Sequence, residues 1–222
     1  MLPSNSTIIP QDKLNSQRWA KRHFDILSRH QQNHVSPDVI LMGDSIMQQW
    51  EQAGGKVLQH WTEKLTIHNL GFSGDKIQHA LWRVQNGQLD NINPALLLLN
   101  IGTNNIFDHT AEEIALGVKQ LVHQIQYKQP KVKILLHRLF PRGEKGSDER
   151  QKVTQASSLY SNLNTNKLIN YIDINDIFLS YQGNIPRDIM HDKLHLTPKA
   201  YALWLQHLQP YFEQCLKKQL LC

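Results

Sequence analysis

The chain has 222 residues, 40% of them hydrophobic and 19% charged, which suits a single globular domain with a sizeable core. Its formal net charge of +5 is modest, and its basic residues are scattered, as in Lys131-Val-Lys133 and Lys217-Lys218. No RNP motif, zinc finger or arginine-rich tract accompanies them, so they read as solvated surface and no nucleic-acid partner is expected. The only cysteines, Cys215 and Cys222, would lie about 10 Å apart along a continuous helix, too far for a disulfide. The N-terminus shows no basic n-region or apolar h-region, and no apolar run reaches membrane-spanning length. The expectation is a reduced, cytoplasmic protein without an integral membrane segment.

Residues 16–33 read as a helix, so residues 1–36 form an N-terminal segment and helix packing on a domain that spans 37–222. Val39–Met42 is the first short apolar run, and it passes through Gly43-Asp44-Ser45 into helix-forming residues. Leu65–Leu70 is the second, followed by Gly71-Phe72-Ser73-Gly74-Asp75, where Asp75 is the expected cap of a helix to about Gln85. Asn86-Gly87 stops that helix. The third run, Ala95–Ile101, contains four consecutive leucines, too continuous for a sheet with one wet face, and Gly102-Thr103-Asn104-Asn105 follows it. Thr110-Ala-Glu-Glu113 is a capping box that opens a helix through about Lys128, ended by Pro130. Val132–Leu139 precedes the loop Pro141–Gly146 and a helix over about 148–163; Leu168–Ile174 is the fifth run. Thr197-Pro198 opens the final helix.

Strand and helix signals alternate from end to end, which predicts a three-layer α/β domain with a mainly parallel sheet. Ligands of such sheets bind beyond the carboxyl ends of the strands. Four segments fall there: Gly43-Asp44-Ser45, Gly71–Asp75, Gly102–Asn105, and Asp192-Lys-Leu-His195 before the last helix. A serine hydroxyl needs a base within hydrogen-bond reach, and a histidine base needs a carboxylate to fix its tautomer. His195 and Asp192 supply both. A developing oxyanion needs preorganised donors. The Ser45 amide at a helix N-terminus, the unshielded Gly74 amide and the Asn104 side chain can provide three.

These blocks, with Gly74-Asp75 through His79-Ala-Leu-Trp-Arg83, Asn86-Gly-Gln-Leu-Asp90 and Pro141-Arg-Gly-Glu-Lys145, run from about Val39 to Trp204. The sequence resembles the GDSL/SGNH hydrolases, above all the group of intracellular type I platelet-activating factor acetylhydrolase catalytic subunits and bacterial relatives. The resemblance implies a flavodoxin-like α/β/α sandwich with five parallel strands and no metal or organic cofactor. It implies Ser45 as nucleophile, His195 as base, Asp192 as its orienting carboxylate, and Ser45, Gly74 and Asn104 as oxyanion donors. The implied function is a serine esterase acting on short acyl esters, most simply acetyl, carried by a phospholipid glycerol or an acetylated sugar. A carbohydrate O-acetylesterase of the same fold is the alternative, and a catalytically silent binding or scaffold protein is the reading from another class. Relatives in that group pair as dimers, so a homodimer is the partner arrangement the resemblance points to. Two positions depart from the pattern: Ile46 replaces the usual leucine, and Phe72-Ser73 replaces small residues, which alters the acyl pocket. Ile46, Met47, Phe72, Leu194 and Leu196 are the candidates to line it.

Each residue also has a plainer reading. Ser45 alone would be an ordinary helix cap. Asp44 braces the turn, Asn105 competes with Asn104 as donor, and His79 and Trp82 read as helix packing. His191 and His195 stand four apart, as zinc ligands on a helix would, but Thr197-Pro198 puts them in a loop, and His191 reads as a rim residue. Met47 two residues after Ser45 breaks the G-x-S-x-G pattern of α/β-hydrolases, and no G-x-G-x-x-G follows the first strand.

Overall fold

The computed structural model describes residues 5–32, 36–163 and 167–219. Expectations resting on residues 1–4, on residue 33 and on Cys222 lie outside them; Cys215 is buried.

The five apolar runs form five strands: β1 Val39–Gly43, β2 Ile67–Gly71, β3 Leu96–Asn100, β4 Lys133–His137 and β5 Ile169–Ile172. All pair in parallel, in the order β2-β1-β3-β4-β5. The helices are α1 Gln17–Gln32, α2 Ser45–Gln48, α3 Gly55–Thr62, α4 Ile77–Arg83, α5 Ala111–Lys128, α6 Asp148–Tyr160 and α7 Pro198–Gln219. Among the described residues no helix is long and apolar enough to cross a membrane.

Period-two alternation along each strand divides the core in two. Ile40, Met42, Leu97, Leu99, Ile134 and Leu136 face residues of α1, α4, α5 and α6. Val39, Leu41, Leu96, Leu98 and Leu135 face residues of α2, α3 and α7, including Trp61, Tyr201, Trp204 and Phe212. With both faces covered, the positions of β1 and β3 ahead of the terminal Gly43 and Asn100 must be apolar, which explains the unbroken leucine run. Each fully buried Leu or Ile contributes about 1.5–3 kcal/mol.

Helix α3, which no signal noted in the sequence marked, begins after Gly54 and is held by Leu58 and Trp61 in the second core. One element departs from expectation. Asp75 does not cap α4. Lys76 occupies the cap position, and the His79 ring accepts the Lys76 N–H at 2.9 Å through Nδ1. The Asp75 carboxylate turns inward instead, with no exposed surface.

Parallel register sets the first three strand ends side by side, Gly43 opposite both Gly71 and Asn100. The glycines there are required by close approach. A Cβ on Gly43 would sit 2.1 Å from the Asn100 carbonyl oxygen, and one on Gly71 would sit 2.2 Å from the Gln48 amide nitrogen. Both obstacles are backbone and have no rotamer to yield. Gly71→Ala is therefore expected to lower stability by about 2–3 kcal/mol. It should appear as a reduced urea midpoint at unchanged slope, and an unaltered midpoint would refute the packing argument.

Candidate active site

The turn from β1 into α2 is built by Asp44. Its Oδ1 accepts the Ile46 N–H at 2.9 Å, making Asp44 the N-cap. Its Oδ2 has no partner among the described residues. Burial pushes this carboxyl up to about 7, against the pull of the Ile46 N–H, and the nearby charge of Asp75 adds to the rise. Ser45 is the first residue of α2 and only 7% exposed. At that position its amide has no intrahelical acceptor. Tyr201 donates from Oη to the Ile46 carbonyl at 2.5 Å, fastening α2 to α7.

Across from this turn, His195 Nε2 lies 3.0 Å from Ser45 Oγ. His195 Nδ1 lies 2.7 Å from Asp192 Oδ2. The other Asp192 oxygen accepts the backbone N–H groups of Leu194 at 3.1 Å and His195 at 2.7 Å. That local turn lets a carboxylate and an imidazole only three residues apart face one another. Burial pushes the Asp192 carboxyl up, but the His195 ring and the two backbone N–H groups outweigh it and hold it at about 2. Lys193 adopts φ +57°, its carbonyl accepts the Gly143 N–H at 3.0 Å, and its ammonium pairs with Glu144. The histidine loop is thereby fixed to the Pro141–Gly146 loop. His191 is exposed beside it.

The remaining strand ends supply donors. Gly74 is exposed at φ +73°, a conformation that favours glycine, and its N–H donates to no acceptor among the described residues. The preceding Ser73 N–H donates to Gln48 Oε1 at 2.7 Å, tying this turn to α2. Asn104 is half-buried and donates one Nδ2 proton to the Asp75 carbonyl at 2.9 Å, which leaves its second proton available. Asn105 is committed elsewhere: its Oδ1 accepts the Ile77 N–H at 3.0 Å and its Nδ2 donates to Gln78 Oε1 at 2.9 Å. Arg142 Nη1 donates to the Thr103 carbonyl at 2.9 Å and braces the Asn104 loop.

The expected pocket lining needs correction. Ile46, Met47 and Leu196 belong to the core beneath α2 and α7, and Phe72 to the core under α1; all four are at most 2% exposed. They fill the interior because the strand-to-helix turns direct them back onto the sheet. Leu194 alone of the five is half-buried at the surface. Sequence reasoning also missed Arg83, Trp19 and Arg142 as supports of the site. A charged residue inside the apolar run Ala80-Leu-Trp-Arg-Val84 was the available signal.

Residues 41–203 match the GDSL-like lipase/acylhydrolase family. The chain is 35% identical to platelet-activating factor acetylhydrolase IB subunit alpha2 of Rattus norvegicus, over 97% of this chain and 93% of that protein. A GDSL-like lipase from Bacteroides thetaiotaomicron superposes with a TM-score of 0.69 at 17% identity, covering 90% of this chain and 98% of its own. A carbohydrate esterase family 3 structure from Talaromyces cellulolyticus superposes at 0.58 and 18% identity, covering 81% and 98%. At those identities the two structures speak to the fold.

His79, next to this site, gives a measurable consequence. Burial, followed by the charges of Lys13, Lys76 and Arg83, lowers its pKa to about 3. The folded state holds the neutral ring, so its stabilisation is complete above the ordinary histidine value of about 6.5 and is lost as pH falls toward 3. Between pH 7 and 5 this group alone should reduce stability by about 1–2 kcal/mol. Urea midpoints at the two pH values for wild type and His79→Gln check it: the variant's loss should be smaller by about that amount, with the remainder due to other buried histidines such as His137, whose pKa burial lowers to about 3.

Proposed function

The chain belongs to the GDSL-like lipase/acylhydrolase family and is an ester hydrolase; from that premise we propose that Ser45 attacks short-chain, above all acetyl, carboxylic esters. The observation that carries the proposal is the continuous hydrogen-bonded run from Ser45 Oγ to His195 at 3.0 Å and on to Asp192 at 2.7 Å. His195 Nε2 accepts the hydroxyl proton as Oγ bonds to the carbonyl carbon, and the carbonyl π electrons move onto oxygen. The Ser45 and Gly74 amides and the free Asn104 proton hold that oxyanion. Collapse breaks the bond to the leaving alkoxide, which takes the proton from His195. Water then repeats the sequence on the acyl-enzyme and releases the acid. Asp192, held ionised down to about 2, keeps the Nδ1 proton in place throughout.

The short-acyl preference is supported by burial of the residues that would have lined a longer groove: Ile46, Met47, Phe72 and Leu196 are all in the core. The acetylhydrolase named among the relatives favours the same acyl group. A homodimeric enzyme without metal or cofactor is part of this reading and rests on the resemblance alone; the cytoplasmic setting rests on the sparse cysteines and N-terminal composition.

Ser45→Ala should lower kcat for p-nitrophenyl acetate by about 10⁴-fold or more, and turnover equal to wild type would sink the mechanism. Asp192→Asn should cost about 10²–10⁴-fold with little change in KM. Wild type should prefer acetyl over butyryl over octanoyl esters, and an acetylated phospholipid compared with an acetylated sugar identifies the leaving group. Failure of an organophosphate to label Ser45 would instead favour a silent scaffold.

A further inference from the structure

The family match begins at residue 41, yet the chain ahead of it reaches the proposed oxyanion turn. Thr7 has no exposed surface and donates to the Glu113 carbonyl at 2.8 Å. Its seat on α5 exists because residue 117 is glycine; a Cβ there would lie 2.6 Å from Thr7 Oγ1. Further on, the Gln11 N–H donates to the Gln78 carbonyl at 3.1 Å, laying the arm along α4. Lys13 Nζ donates to the Gly74 carbonyl at 3.4 Å and stands 3.7 Å from Asp75 Oδ1. Trp19, 5% exposed, donates from Nε1 to Asp75 Oδ1 at 2.8 Å.

We propose that this N-terminal arm is a positioning device for the oxyanion site, acting through Trp19 and Lys13 on the Gly74-Asp75 turn. The proposal rests on the assignment of Gly74 and Asn104 as oxyanion donors. Gly74 is exposed, in a left-handed conformation, and has no side chain with which to hold itself. Its orientation is set from the neighbouring Asp75, whose carboxylate has one oxygen on Trp19 and the other on Arg83 at 2.9 Å. Two donors from different elements fix the plane of that carboxylate, whereas one would leave it free to turn. The Asp75 carbonyl then fixes the Asn104 amide. An ångström of misplacement at a reacting centre can cost about a hundredfold in rate, so a support outside the strand-end motifs has leverage.

Trp19→Phe removes the Nε1 donor and keeps a ring against Phe72 and Trp82, both now within 6 Å of the indole at 5.4 and 5.6 Å. We expect kcat for p-nitrophenyl acetate to fall about tenfold with KM unchanged, and Lys13→Gln to give a smaller fall of about threefold. In an Asn104→Ala background the effect of Trp19→Phe should shrink from about tenfold to about threefold, because one of the two donors it positions is gone and Gly74 remains. An equal fall in both backgrounds, or none in either, overturns the proposal. A readout without turnover is the pair of NMR signals from the Gly74 amide and the Asn104 side-chain amide. Both should shift in Trp19→Phe, and unmoved signals also overturn it. Failure of the esterase reading shows separately, as wild-type turnover that survives Ser45→Ala.

Discussion

Arg83 has no exposed surface and donates to the Asp75 carboxylate at 2.9 Å, the Leu70 carbonyl at 3.1 Å and, at 3.4 Å, the Gly43 carbonyl. One guanidinium therefore joins the ends of β1 and β2 to the turn that follows β2. It also donates to Gln88 Oε1 at 2.5 Å, and Gln88 meets His23 of α1 at 3.2 Å. Phe72 lies against the guanidinium, 4.1 Å from its centre to the ring centroid, which is why an aromatic residue occupies a position predicted to touch substrate. Burial pushes the Asp75 carboxyl up and the Arg83 guanidinium down, and each charge opposes the other's shift. Removing either partner would strand the other in a dry interior at a cost of about 3–5 kcal/mol. Such a pair is weak evidence for net stability. The guanidinium's directional bonds to two backbone carbonyls, of Leu70 and Gly43, and to two side chains, of Asp75 and Gln88, make it suited to holding a geometry.

The two halves of the site are made by different means. Asp192 and His195 owe their relation to a local turn, in which one carboxylate oxygen captures two backbone N–H groups and leaves the other for the ring. Nothing distant is needed to align them. The proposed oxyanion donors at Ser45, Gly74 and Asn104 come from three strand ends and depend on sheet register, the Gly43 and Gly71 contacts, and the bonds through Gln48 and Asp75. The first half is fixed by sequence neighbours and the second by the fold.

That division explains what could be read without coordinates. The strands were legible because burial on both faces leaves no polar position in β1 or β3 before the terminal glycine or asparagine. The capping box at Thr110–Glu113 was legible because both partners lie within one turn, and the helix begins where it predicts. The candidate site motifs stand out only as a set: glycine, serine and asparagine are ordinary turn residues at strand ends, and it is the four blocks in order that carry the reading. Asp75 was misread because the same residue type serves as a helix cap or as a buried ligand for arginine, and only the position of Arg83 decides. The pocket lining was misread for a related reason. Hydrophobicity marks residues that leave water, whether into core or toward a ligand, and Ile46, Met47 and Phe72 go into core.

The plainest alternative for Ser45 was a helix cap, and the geometry separates cap from hydroxyl. Asp44 holds the cap position and takes the Ile46 N–H, so the Ser45 hydroxyl is not needed for that bond. Ser45 is therefore free to face His195, while its own amide remains outside the intrahelical ladder. Helix α2 has only four residues, too short for a macrodipole of consequence, so any anion held there depends on individual N–H groups. The glycines flanking it, Gly43 and Gly71, let those groups sit hard against the sheet. In the proposed mechanism, a residue that would be unremarkable as a cap serves as the nucleophile because its neighbour has taken over the capping.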